Sequence, residues 1–210
     1  KSTLVRALTG MEPDRLAEER RRGLTIELGF AWTTLPSGTR LAFVDVPGHQ
    51  RFIPTMLAGV GPVPAALMVV AADEGRKPQS AEHLAALHAL DVRHGVLAVT
   101  RSDLADPRPV LREARARLES TSLGAVDAVA VSGVTGAGLP ELRAALDRLA
   151  GRLPAPDRAA PVRLWVDRCF TIRGSGTVVT GTLGGGTLRV DDSLELPGGG
   201  LVRARGLESL

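Results

Sequence analysis

A single cysteine, Cys169, stands in the whole sequence, which excludes an intramolecular disulfide framework. That fits a reducing compartment, although Cys169 reads equally as a small apolar filler. No apolar run approaches the roughly 20 residues that a membrane-spanning helix needs, and the opening Lys1-Ser2-Thr3-Leu4 lacks the pattern of a secretory signal. A cytoplasmic protein with no membrane partner is expected. Lysine is almost missing, standing only at positions 1 and 77, so basic charge is carried by arginine. Arginine makes planar, bidentate contacts with phosphates, and a nucleotide or RNA partner is consistent with this usage, as is a plain composition bias. The net charge is only +3, so the cluster Arg20-Arg21-Arg22 says more than the total.

What is present is ordinary for a soluble globular chain: 44% hydrophobic and 23% charged residues. Its 210 residues suffice for one domain with a good core, or one domain and part of another. Leu4, Val5 and Leu8 have helical spacing and Gly10 is a natural stop, so the chain begins in a helix. Residues 12–23 are dense in charge and read as an exposed, mobile segment. Ile26, Leu28, Phe30 and Trp32 alternate with smaller or polar residues, which predicts a half-buried strand; Pro36-Ser37-Gly38 then turns into a second strand ending at Asp45.

Further on, Ala65 to Ala72 suits a strand buried on both faces, followed by a helix from Pro78 through Leu90 and a strand from Gly95 to Thr100. A helix is predicted from Pro107 to Leu123, a strand from Val126 to Val131 and a helix from Leu139 to Leu149. This βαβα alternation demands right-handed crossovers and a mostly parallel sheet with one hairpin strand at its edge. Around Gly151 the texture changes, and Arg152-Leu153-Pro154-Ala155-Pro156-Asp157 reads as a linker. Beyond it, alternation at Val162 to Val166, a β-rich Thr177 to Thr182, and turns at Gly184-Gly185-Gly186 and Pro197 to Gly200 predict an all-β module. About 50 residues are too few for a complete barrel.

Chemistry-bearing residues gather at predicted strand ends, where open α/β sheets place ligands. Asp45-Val46-Pro47-Gly48-His49 puts an acid, a glycine amide and an imidazole at one such end; by composition alone it reads equally as a β-turn. Lys1-Ser2-Thr3 opens a helix as the tail of the phosphate-binding pattern G-x-x-x-x-G-K-[ST], although the preceding glycines are absent and the tripeptide alone is common. Thr100-Arg101-Ser102-Asp103 and Ser132-Gly133-Val134 follow two further strands. A carboxylate at Asp103 can accept two hydrogen bonds from a guanine edge, which adenine cannot supply; its bland alternative is a helix N-cap. Gly174-Ser175-Gly176 lacks a third glycine at the right spacing and a following helix, so it is no dinucleotide loop. His83 and His88 are five residues apart and do not share a helix face for a metal; with His94 they read as packed or solvated. Arg112, Arg115 and Arg117 read as a solvated helix face.

Taken together, the ordered motifs resemble the translational GTPases. Lys1-Ser2 matches the end of the phosphate loop, Arg22-Gly23-Leu24-Thr25-Ile26 the first switch, and Asp45 to His49 the second switch. Asp103 matches guanine recognition and Ser132-Gly133 the base-contacting loop. Within that group the chain is similar to the selenocysteine-specific elongation factors, through Leu57 to Gly61 with Ala71 to Gly75, and through Asp167 to Gly181. The resemblance implies an α/β P-loop GTPase domain with a mostly parallel sheet, followed by the first part of an all-β translation-factor barrel: residues 1–152, a linker at 153–161, and 162–210. The general aminoacyl-tRNA elongation factors and a nucleotide-independent interaction module are the alternatives.

The resemblance further implies a GTPase that cycles between GTP and GDP with Mg2+ and delivers selenocysteinyl-tRNA to the ribosome. An mRNA element would be read through domains absent here. Lys1, Ser2, Thr3, Thr25, Asp45, Gly48, Thr100, Arg101, Asp103, Ser132 and Gly133 would bind the nucleotide. Ser2 and Thr25 would ligate magnesium directly and Asp45 through water. His49 would position the attacking water, kept out beforehand by an apolar gate that includes Leu24. Asp167 and Arg168 would recognise the selenocysteinyl group, an arginine suiting an ionised selenol; their alternative is a surface ion pair. Because the amides that cradle the β-phosphate would precede Lys1, weak GTP binding is expected of the 210 residues by themselves. Three departures stand out: Thr100-Arg101 replaces the usual Asn-Lys of the guanine motif, Gln50 follows His49 where an acid is common, and Arg76-Lys77 is unusually basic.

Overall fold

The computed structural model describes residues 1–13, 21, 25–60, 63–74 and 78–209. The expectations for Arg20, Arg22, Gly23, Leu24, Gly61, Gly75, Arg76, Lys77 and most of the charged segment at 12–23 lie outside those residues. Two compact units are formed, Lys1–Leu153 and Pro154–Leu210.

In the first unit, Leu4, Val5 and Leu8 form the buried stripe of helix α1 (Ser2–Thr9), which stops at Gly10. Strands β1 (Gly29–Thr34) and β2 (Arg40–Asp45) pair antiparallel, with Gly29 opposite Asp45 and Thr34 opposite Arg40. The alternation from Ile26 predicted an earlier start to β1. The ladder begins at Gly29 because β2 ends at Asp45 and leaves no partner for the residues before it. The turn between the strands is pinned to a distant helix, since the Ser37 backbone N–H donates to Asp147 at 3.1 Å.

A 3-10 turn (Gln50–Phe52) leads to α2 (Ile53–Val60). There follow β3 (Ala66–Ala71), α3 (Pro78–Ala89), β4 (Gly95–Thr100), α4 (Arg108–Glu119), β5 (Asp127–Ala130) and α5 (Leu139–Arg152). Strands β3, β4 and β5 form a parallel sheet in that order, with Ala71 beside Thr100 and Val99 beside Ala130. The β1–β2 hairpin keeps its own ladder and joins the domain by packing: Leu41 and Phe43 lie against the cluster that includes Val96 and Ala98.

Alternation along β4 sends its side chains to two cores. Val96 and Ala98 meet Leu4, Leu8, Leu142 and Leu146 from α1 and α5 on one face. Leu97 and Val99 meet Met56, Leu87 and Leu118 from α2, α3 and α4 on the other. Leu97 and Leu142 are wholly buried, and truncating a leucine in such a site to alanine costs about 2–5 kcal/mol. The central strand, covered on both sides, ends at the candidate residue Thr100.

In the second unit β6 (Arg163–Ile172) and β7 (Gly176–Gly185) make one hairpin, and β8 (Ser193–Glu195) and β9 (Leu201–Arg203) another. Gly174-Ser175-Gly176 is the tight turn of the first, where the Ser175 N–H meets the Ile172 carbonyl at 3.1 Å. The expected turn at Gly184 to Gly186 starts later, for β7 runs on through Gly185, which pairs with Arg163. A Cβ on Gly184 would lie 2.9 Å from the Trp165 indole nitrogen, so the glycine lets that ring lie over the strand. Trp165, Val166, Phe170 and Ile172 remain 42–54% exposed, as expected of strands in a two-stranded ladder.

Candidate functional site

The phosphate-motif residues and the opening acid of the second motif meet. Strand β2 delivers Asp45 to its end with its side chain only 3% exposed, and α1 starts beside it. Lys1 Nζ lies 2.9 Å from Asp45 Oδ1 and also donates to the Val46 carbonyl. Ser2 Oγ donates to Asp45 Oδ2 at 3.5 Å. A buried carboxylate needs such compensation, since desolvating a bare charge is costly. The Ser2 hydroxyl and the Asp45 carboxylate at this separation are hard oxygen donors of a kind that suits Mg2+, and Thr25 is buried. Among the described residues no group of three or more His, Cys, Asp or Glu could hold a metal.

After Asp45 the chain passes through buried Pro47 to Gly48 and exposed His49. The His49 Nδ1 accepts the Arg51 backbone N–H at 3.2 Å, and its ring tilts 59° against Phe52 at a centroid distance of 6.2 Å. With Nδ1 accepting, the neutral imidazole carries its proton on Nε2. His83, read from the sequence as a packed or solvated helix residue, lies beside this segment. A Cβ on Gly48 would stand 3.6 Å from His83 Cε1. Burial lowers the His83 pKa below its usual 6.5, and the Lys1 charge lowers it further, against opposing contributions from Glu82 and a Gly48 backbone hydrogen bond. The sequence signal for His83 was only its place on α3, which does not reveal what the helix packs against.

At the other end, Thr100 closes β4 and is buried, its hydroxyl donating to the Val70 carbonyl at 3.3 Å. Arg101 adopts φ 57° and turns toward acids at the end of the neighbouring strand. Asp103 is exposed in the turn that follows. The Ser102 N–H reaches the Val131 carbonyl at 3.4 Å, linking this turn to the loop after β5. There the Ser132 hydroxyl, fully buried, accepts the backbone N–H groups of Val134 and Thr135 at 3.2 and 3.1 Å, so it shapes its own loop. Gly133 packs on the start of α1: a Cβ there would stand 3.3 Å from the Thr3 carbonyl oxygen and 3.4 Å from the Leu4 backbone. The base-loop candidate thus rests directly on the phosphate-loop candidate.

Of the remaining histidines and arginines, His88 Nδ1 accepts the Ser122 N–H at 3.0 Å, a packing role. Arg117 pairs with Glu113 at 3.0 Å and Arg115 donates to the Ala128 carbonyl at 3.4 Å, so that helix face makes local contacts as well as meeting solvent.

In the second unit Asp167 is the extra residue of a β-bulge: Val166 pairs with Gly181 and Arg168 with Thr180, leaving Asp167 between them. Bulges re-aim side chains. Here the Asp167 carboxylate accepts the Thr180 hydroxyl across the ladder, and both Asp167 and Arg168 are half-buried. The bulge requires Gly181, where a Cβ would stand 2.1 Å from the Trp165 carbonyl oxygen.

The chain as a whole is similar to known proteins. The chain is 44% identical to the selenocysteine-specific elongation factor of Desulfomicrobium baculatum, over 99% of its own length and 33% of that protein's. It superposes on the crystal structure of a bacterial selenocysteine-specific elongation factor, EF-Sec, with a TM-score of 0.91 and 36% identity, covering 98% of this chain and 36% of that one. SelB from Methanococcus maripaludis, in complex with the GTP analogue GPPNHP, gives a TM-score of 0.82 and 29% identity over 98% of this chain and 43% of that one. The chain spans about a third of the length of the curated relatives it matches. No helix among the described residues is long and apolar enough to cross a membrane. Residues 2–152 match the elongation factor Tu GTP-binding domain, and the chain belongs to that family of P-loop GTPases.

Proposed function

We propose that this chain carries the guanine-nucleotide switch of a cytoplasmic elongation factor that brings selenocysteinyl-tRNA to the ribosome. The observation that carries the proposal is the meeting of Lys1, Ser2 and Asp45, with Gly133 seated on the start of the same helix. Residues 1–152 act as the GTP-binding domain, 153–161 as the linker and 162–210 as the first part of the barrel. The selenocysteine assignment is supported by the identity to relatives of that name, and by Asp167 and Arg168 in the second unit.

Within the site Lys1 would hold the terminal phosphates, and Ser2, Thr25 and Asp45 would hold magnesium. The ion, when bound, neutralises charge developing on the transferred phosphoryl group. Thr3 contributes at the helix start and Gly48 offers its amide to the γ-phosphate. Thr100, Arg101 and Asp103 hold the base, with Asp103 reading the guanine edge, and Ser132 and Gly133 close its other side. His49 orients the attacking water. Because its Nδ1 accepts the Arg51 backbone N–H, Nε2–H is left as a donor, which favours positioning and electrostatics over proton abstraction. Asp167 and Arg168 contact the selenocysteinyl group.

Titration of the intact protein with a fluorescent GTP analogue tests the first part: saturable binding displaced by GDP but not by ADP is expected, and no binding discards the reading. An ester-protection assay then compares selenocysteinyl-tRNA with seryl-tRNA. Equal protection of both would replace the selenocysteine assignment with that of a general aminoacyl-tRNA factor.

A further inference from the structure

Arg101 has an anchor on the neighbouring strand end. Its Nη1 lies 3.2 and 3.0 Å from the two carboxylate oxygens of Asp73 and 3.1 Å from Glu74 Oε1. The two acids follow β3 and Arg101 follows β4. Parallel pairing sets Ala71 beside Thr100, and the Ala72 N–H continues the ladder to the Thr100 carbonyl at 2.8 Å. The strand register therefore brings acids and guanidinium side by side. Left-handed backbone is costly for a residue with a Cβ, and Arg101 holds it at φ 57°.

We propose that Asp73 and Glu74 are positioning residues of the guanine pocket, holding the Arg101 guanidinium so that its alkyl stem is pre-set beside the base. This rests on reading Thr100 to Asp103 as the guanine-binding segment. A lysine stem covering a base leaves a compact, strongly hydrated ammonium to water, whereas the longer, more weakly hydrated Arg101 guanidinium meets both acids through Nη1. Arginine at this position and an acid pair on the adjacent strand end are therefore complementary. A long side chain ordered before its ligand arrives loses less entropy on binding, which shows as slower release. Arg101 is 48% exposed, so solvent screening holds the gain to about two- to fivefold in dissociation rate.

The acids do not touch the base, so their effect passes through Arg101 and is blind to the guanine 2-amino group, which Asp103 reads. Stopped-flow release of fluorescent GDP and IDP from the intact protein separates these roles. Asp73→Asn with Glu74→Gln should speed release of both nucleotides by the same two- to fivefold factor. Glu74→Gln alone should do so to a smaller extent. In an Arg101→Ala background the acid substitutions should add nothing, and raising salt should erase the wild-type advantage. Unchanged release in the double variant, or an equal effect without Arg101, overturns the proposal. Wild-type protein that binds GDP no better than ADP overturns the guanine reading itself and the proposal with it.

Discussion

Lys1 and Asp45 form an ion pair of 2.9 Å between the first turn of a helix and the last residue of a strand, and the carboxylate is almost fully buried. The pair brings a phosphate-type lysine and a magnesium-type acid to one edge of the domain. On the proposed reading a nucleotide and its ion would have to exchange with this contact, because the ammonium and the ion's water would draw on the same carboxylate.

Asp45→Ala should weaken Mg2+ and GTP together, by about 10- to 100-fold, the usual effect of losing an outer partner of a metal site. Isothermal titration with GTP at several magnesium concentrations checks this. GTP affinity independent of magnesium in both proteins would contradict the role given to Asp45.

His49→Ala should leave GTP and tRNA binding intact and reduce ribosome-stimulated hydrolysis by about 100-fold or more, because the side chain is exposed and its hydrogen bond with Arg51 and ring contact with Phe52 lie within its own turn. Phosphate release under single-turnover conditions provides the readout. Normal stimulated hydrolysis would return the Asp45 to His49 stretch to the status of a turn.

Gly133→Val should loosen nucleotide binding and lower stability by about 1–3 kcal/mol, since the added branches meet the Thr3 carbonyl and the Leu4 backbone. Gly133→Ala should do less, the neighbours needing to give only a few tenths of an ångström. Urea denaturation with and without GDP distinguishes a packing loss from a binding loss. A valine variant as stable as the wild type would show that the base loop is not seated on α1.

His83 predicts a pH dependence. Its folded-state pKa lies below 6.5, chiefly through burial, so folding favours the neutral imidazole. The unfolded chain takes up the proton first as pH falls, and the stability due to His83 is full above about pH 6.5 and declines below it. Lys1, Glu82 and the Gly48 backbone all face this ring. Urea midpoints at pH 7.5 and 5.5 should differ less for His83→Gln than for wild type. Identical pH slopes in the two proteins would remove His83 from this account.

Hydrophobic pattern and motif order made much of this protein legible before its fold was seen. Apolar runs at Ala65 to Ala72 and Gly95 to Thr100 separated by helical spacing announce parallel strands, because a strand covered on both faces cannot alternate. Asp103 and Ser132 follow neighbouring parallel strands, whose carboxyl ends lie on one side of the sheet, whereas Lys1 at a helix start and Asp45 at the end of an antiparallel strand are legible from motif order alone. Boundaries were less legible, since the start of β1 and the end of β7 depend on which residues lie opposite, a property of the partner strand.

What only the tertiary structure decided are contacts between segments whose separation has no sequence signature. The pairing of β3 with β4 brings Asp73 and Glu74 to Arg101, helix packing brings His83 to Gly48, and the β5 loop carries Gly133 onto Thr3. A bulge turns Asp167 toward Thr180. Local propensity and periodicity act over a few residues and so determine elements and motifs. Register, crossing and close approach are settled by the packing of the whole domain, and they determine which of those motifs touch.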